Sequence, residues 1–186
     1  MELLDTRKQL VLNISKGTSL EGLKAQVVLA LDFSGSMSPL YTSGKVQELV
    51  ERILPLGLAF DDNGEVDFYL FHDGVIKLPE NITRSNLTGY IRNKIISKYH
   101  MGGTNYSPII NKIVSDCTGW VPTGAAPEEK KGFFGSLFGK KEEPKSLIEN
   151  LPKPLENPVY VIFITDGENS DSDKRAAKQA IINASR

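Results

Sequence analysis

The chain carries a single cysteine, Cys117, in 186 residues. That excludes an intramolecular disulfide and any cysteine-based zinc cage. Histidine is almost as scarce, with His72 and His100 alone, and neither lies in a Gly-x-Ser-x-Gly setting. A serine hydrolase would therefore lack the base that activates its nucleophile. No P-loop and no Gly-x-Gly-x-x-Gly fingerprint occurs, so nucleotide cofactors are unsupported. Lysine plus arginine (22) nearly cancel aspartate plus glutamate (23), and no global field points to nucleic acid or membrane. The opening Met1-Glu2-Leu3-Leu4-Asp5 lacks the basic and apolar regions of a signal peptide. No apolar stretch is long enough to cross a bilayer. Without an export signal, triplets such as Asn81-Ile82-Thr83 read as chance rather than as glycosylation sites. The expectation is one cytoplasmic domain, long enough to bury a sizeable core.

What is present is concentrated at Asp32-Phe33-Ser34-Gly35-Ser36, directly after the apolar run Ala25–Leu31. Such a run reads as a strand buried on both faces, as in a mostly parallel sheet covered by helices. An acid at the end of a buried strand is costly unless its charge is compensated. Small oxygen donors beside an aspartate suit a hard cation such as Mg2+, which takes one or two carboxylates and keeps some waters. The loop therefore reads as a metal site.

In chain order, Gln9–Ile14 is a short strand-like segment within a lead-in spanning residues 1–24. Residues 25–186 form the main domain. Val46, Leu49, Val50, Ile53 and Leu56 recur at helical spacing in Lys45–Phe60, and Pro55 predicts a kink or an early stop near Leu54. Glu65–Phe71 is a second strand, and Asp73-Gly74 turns it into Val75–Leu78 as a hairpin. A helix is expected over Asn86–Ile96, with Leu87, Tyr90, Ile91 and Ile95 along one side. After the loop Met101-Gly102-Gly103-Thr104-Asn105, Ser107-Pro108 reads as an N-cap followed by a first-turn proline. Residues 121–146 are rich in Gly, Pro and charge and read as a flexible insertion. Its Phe133, Phe134 and Phe138 beside Lys140 and Lys141 would alternatively dock a partner or touch a membrane surface. Val159–Thr165 is another buried strand, ending in Asp166-Gly167-Glu168, and an Ala-rich helix closes the chain. Glu168 and the acids at 171 and 173 read as helix N-terminal charge, with a second cation site as the alternative.

Two buried strands thus each deliver an aspartate at the carboxyl end, with a Gly-Gly-Thr loop between them in sequence. In open α/β sheets ligands bind outside the strand C-termini, so these residues are expected on one edge. A phosphohydrolase of the haloacid dehalogenase type would want a second carboxylate two residues after Asp32, where Ser34 stands. Asn105 and Ser38 are candidates for tuning the site from outside.

Asp32-x-Ser34-x-Ser36, then Thr104 in Gly-Gly-Thr-Asn, then Asp166-Gly167 after an apolar strand, resemble the metal-ion-dependent adhesion site of von Willebrand factor A domains. The resemblance covers the chain from about Ala25 onward. It implies an α/β fold of Rossmann-like type, an open and mostly parallel sheet flanked by helices. It also implies Ser34, Ser36 and Thr104 as direct ligands of Mg2+ (alternatively Mn2+ or Ca2+), with Asp32 and Asp166 as ligands or as acceptors behind them. One coordination position would be left for an acidic side chain of a partner protein. Within the family the chain is most similar to bacterial proteins of tellurite-resistance and stress operons. The family's sheet normally continues past the Asp166 strand, whereas one helix follows here. The expectation is an incomplete domain whose exposed sheet edge favours a homo-oligomer. A metal-dependent phosphohydrolase, or a subunit with a purely structural ion, are the competing readings.

Overall fold

The computed structural model describes residues 24–61, 63–120 and 155–185, together with residues 17 and 22. The expected strand Gln9–Ile14 and the insertion at 121–146 lie outside the described residues. Strand β1 (Gln26–Asp32) is the centre of a four-stranded sheet that also holds β2 (Asp67–Phe71), β3 (Val75–Lys77) and β4 (Val159–Ile164), in the order β3-β2-β1-β4. β1 runs parallel to β2 and to β4, and only the hairpin strand β3 is antiparallel. The fold is the expected mostly parallel α/β sheet with helices on both faces.

Alternation along β1 divides the core. Val27, Leu29 and Leu31 face one layer, while Val28 and Ala30 face the other. The first layer is covered by α2 (Lys45–Phe60), which follows the short helix α1 (Ser38–Thr42). Its buried Val46, Val50, Leu54 and Leu58 are joined by Leu87, Tyr90, Ile91 and Ile95. The second layer is covered by α3 (Tyr106–Thr118) through Ile109 and Ile113, and α3 packs on α4 (Lys174–Ala184).

Two local expectations are corrected. Pro55 does not stop α2, which runs on to Phe60. A mid-helix proline costs about 3 kcal/mol. Burying a leucine side chain returns about 1.5–3 kcal/mol, and Leu54 and Leu58 on either side of it are both buried. The helix also lies close on the sheet at Gly57, where a Cβ would come within 3.1 Å of Val27 Cγ1. Over Asn86–Ile96 the inward side chains are those expected, but the regular part is a π-helical turn at Ile91–Ile96.

β4 pairs with β1 alone among the described residues. The expected burial of this strand is corrected: none of its residues is buried among the described residues, and Tyr160, Val161 and Phe163 are exposed on it, as are Ile181 and Ile182 on α4, because β4 is the edge strand of the described sheet.

Candidate metal centre

Register brings the pieces of the site to one edge. Asp32 pairs with Phe71 and Leu31 with Ile164, so β1, β2 and β4 end together. The Ser34 loop and the Thr165-Asp166-Gly167 loop leave from these ends. The Gly-Gly-Thr loop is laced between them by its backbone: Gly35 N–H donates to Gly102 O (2.9 Å) and Gly102 N–H to Phe33 O (3.3 Å). Its other side is fixed by Asn105 N–H to His72 O (2.9 Å) and Gly103 N–H to Asp73 Oδ2 (2.8 Å). A Cβ at Gly102 or Gly103 would collide with the Asp73 carboxylate, which explains two glycines before Thr104.

Asp32 is fully buried, and both its carboxylate oxygens have donors. Oδ1 accepts from Ser34 N–H (2.8 Å) and Oδ2 from the Thr165 hydroxyl (2.6 Å). Ser36 donates its hydroxyl proton to Asp166 Oδ1 (3.0 Å). A hydroxyl has one proton, so the 3.1 Å contact between Ser34 Oγ and Ser36 Oγ is made by the Ser34 proton. The relay runs Ser34 to Ser36 to Asp166, and it leaves lone pairs on both serine oxygens, polarised by the carboxylate behind them. Asp32, Ser34, Ser36 and Asp166 are therefore brought together. Thr104 is placed beside them by the backbone pairing of Gly102 with Ser34, two residues upstream.

A second buried acid shows what is unusual about Asp32. Asp61, at the opposite edge of the sheet, accepts three backbone amides, from Val27, Asn63 and Glu65. Those three donors compensate the burial of its carboxylate. Asp32 has one amide and one hydroxyl, and among the described residues no lysine or arginine pairs with it or with Asp166. Nearby Tyr41, whose hydroxyl donates to Asp32 O (2.7 Å), is kept protonated, since burial and then the Asp32 charge push its phenol far above its usual range. No three His, Cys, Asp or Glu side chains form a cage among the described residues. The donors are instead hydroxyls with two carboxylates, a set that fits a hard, partly hydrated divalent cation rather than zinc.

Several neighbours act otherwise than expected. Asn105 Nδ2 donates to Asp73 O (3.3 Å), and Ser38 sits at the start of α1 with its carbonyl accepting from the Thr42 hydroxyl. Glu168 and Asp171 pair with Lys174 rather than forming a second cation site. His72 Nδ1 accepts from Gly74 N–H (3.2 Å), so its ring serves the hairpin turn. Ser107 is not the N-cap of α3, because the helix begins at Tyr106. Its N–H and hydroxyl donate instead to Asp173, which also accepts from Tyr106 N–H (2.7 Å). Burial alone would raise the Asp173 carboxyl, but the bonds from Ser107, Asn169 and Tyr106 outweigh it and hold the group below the usual carboxylate range. Thr165, Tyr106 and Asp173 were not legible as site residues, since their partners lie 61 to 133 positions away in sequence. Tyr106 donates its hydroxyl to Gly167 O (2.6 Å), tying α3 to the Asp166 loop.

Among the described residues, no helix is long and apolar enough to cross a membrane. No solved structure matches the chain. Protein YcbR of Bacillus subtilis (strain 168), described as uncharacterized, is 34% identical over 116 residues, 61% of this chain and 47% of that protein. The matched stretch thus spans about half the length of this relative. The family model described as "vWA found in TerF C terminus" matches residues 24–186, beginning two residues before β1. Because that match covers most of the chain, and the mostly parallel sheet flanked by helices is consistent with it, the chain belongs to the vWA-TerF-like family.

Proposed function

We propose that the chain is a divalent-cation-dependent protein-binding module, and not an enzyme, working in a bacterial tellurite-resistance or stress-response system. The observation that carries this reading is Asp32: a fully buried carboxylate without a cationic partner among the described residues, at the head of a cluster of hydroxyls that opens to the surface. Ser34, Ser36 and Thr104 would hold Mg2+ directly, with Mn2+ or Ca2+ as substitutes. Asp32 and Asp166 would be further ligands or acceptors behind them, and Asp166 already accepts from the Ser36 hydroxyl. With neutral oxygens nearest, the ion keeps net positive character and attracts an anionic ligand. An acidic side chain of a partner protein is that ligand. Membership of the TerF-related family supports the cellular setting.

Calorimetric titration with Mg2+, Mn2+ and Ca2+ tests the site, beside Thr104→Ala. Binding by the wild type, weakened at least about 10-fold in the variant, is the expected result. Equal binding by both would remove Thr104 from the site. Hydrolysis of a generic phosphoester with Mg2+ would favour the phosphohydrolase reading instead.

The edge of β4, paired only with β1 among the described residues, is the proposed self-association surface, since an apolar edge strand presents backbone groups to a second copy. Light scattering is expected to show mass rising with concentration, and Val161→Lys to suppress it. A strict monomer at all concentrations would count against this.

A further inference from the structure

Asp173 occupies the N-cap position of α4, yet its side chain makes no cap bond to its own helix. A residue of this type in that position normally contributes about 1 kcal/mol by capping the helix it precedes. Asp173 instead turns its carboxylate onto the first turn of α3. There it accepts Tyr106 N–H (2.7 Å), Ser107 N–H (2.9 Å) and the Ser107 hydroxyl, while buried to 7% exposure. The N-cap of α3 itself, Asn105, makes no side-chain cap bond. The cap of α3 is thus supplied from α4.

Three residues earlier the same segment takes hold of Thr104. Ser170 donates both its N–H (2.8 Å) and its hydroxyl (2.6 Å) to Thr104 O. Asn169 Oδ1 shares the Tyr106 N–H (3.0 Å). The stretch Asn169–Asp173 therefore grips Thr104, Tyr106 and Ser107, and it follows Asp166 directly in the chain. The Thr104 loop and the Asp166 loop are joined by these bonds into one unit.

We infer that Ser170 and Asp173 are positioning residues of the cation site, setting the Thr104 hydroxyl against Ser34, Ser36 and Asp166. The inference rests on the metal-site reading above and goes beyond it by naming what holds the Gly-Gly-Thr loop in register. Any movement of α4 along its axis would then be felt at Thr104, and so in cation affinity.

The test is Mn2+ affinity of the whole chain by calorimetry, with melting temperature measured in parallel. Asp173→Ala is expected to weaken binding about 10-fold or more, the usual cost of removing a group behind the ligands. Ser170→Ala, which keeps the backbone bond to Thr104 O, is expected to weaken it less, and it remains available should Asp173→Ala not fold. Asp61→Asn is the control, since it disturbs an equally buried carboxylate far from Thr104. It should lower the melting temperature and leave affinity within about twofold of wild type. The inference is overturned if folded Asp173→Ala and Ser170→Ala bind like wild type, or if Asp61→Asn weakens binding as much as they do. Failure of the wild type to bind any of Mn2+, Mg2+ or Ca2+ would overturn the metal-site reading itself, a result distinct from the first two.

Discussion

Replacing Asp32 by asparagine is expected to abolish cation binding while leaving the fold in place. The amide keeps an oxygen for Ser34 N–H, and its NH2 faces Thr165, whose hydroxyl needs only to rotate from donor to acceptor. The buried hydrogen bonds survive and only the charge is lost. Asp32→Ala is a poorer test, because it strands a buried amide and a hydroxyl, each costing about 1–3 kcal/mol. That would lower the melting temperature by several degrees, at roughly 2–4 °C per kcal/mol for a domain of this size. Calorimetric titration with Mg2+ and thermal unfolding of both variants separate the two effects. Unchanged Mg2+ affinity in Asp32→Asn would remove the buried charge from the mechanism, and with it the main support for a cation site.

Phe71→Ala is expected to be among the most destabilising single changes. The ring is fully buried at the end of β2 and stacks within 4.7 Å of Phe163 and 5.8 Å of Tyr106, which themselves lie 5.3 Å apart. These three rings join β2, β4 and α3 beneath the site. Truncating a buried phenylalanine costs about 3–5 kcal/mol, a large fraction of a typical 5–15 kcal/mol stability. The melting temperature should fall by roughly 6–20 °C. Phe71 O also accepts Phe33 N–H (2.7 Å), so the loop carrying Ser34 and Ser36 would lose its footing. Phe163→Ala removes a ring that is 37% exposed and should cost clearly less. Equal losses in the two variants would show that the cluster does not depend on the buried ring.

Much of the architecture was legible because it is local. The apolar runs before Asp32 and Asp166 marked two strands and Asp73-Gly74 a hairpin turn, but only the first of those strands is buried on both faces. Helical spacing in Lys45–Phe60 marked Val46 and Val50, which α2 buries, but it also marked Leu49, which is exposed, and passed over the buried Leu54 and Leu58. Proline was overestimated there, since its cost is intrinsic to the backbone while the leucines flanking it act through the sheet.

The site was legible as a set of residue types in order, and the reason is chemical. Acid and hydroxyl side chains at strand ends have few roles, and three such groups in one chain imply a common edge. Sequence by itself thus determined the fold class, the family and the identities of Asp32, Ser34, Ser36, Thr104 and Asp166 as candidates. Only the tertiary structure decided how they are held. Thr165 looked like one more β-branched strand residue until its hydroxyl met Asp32, and Asp173 looked like helix-start charge until its carboxylate met Ser107. A hydrogen bond carries no trace in the pattern of either partner when 66 or 133 residues separate them, because spacing encodes only what one helix or strand does with itself.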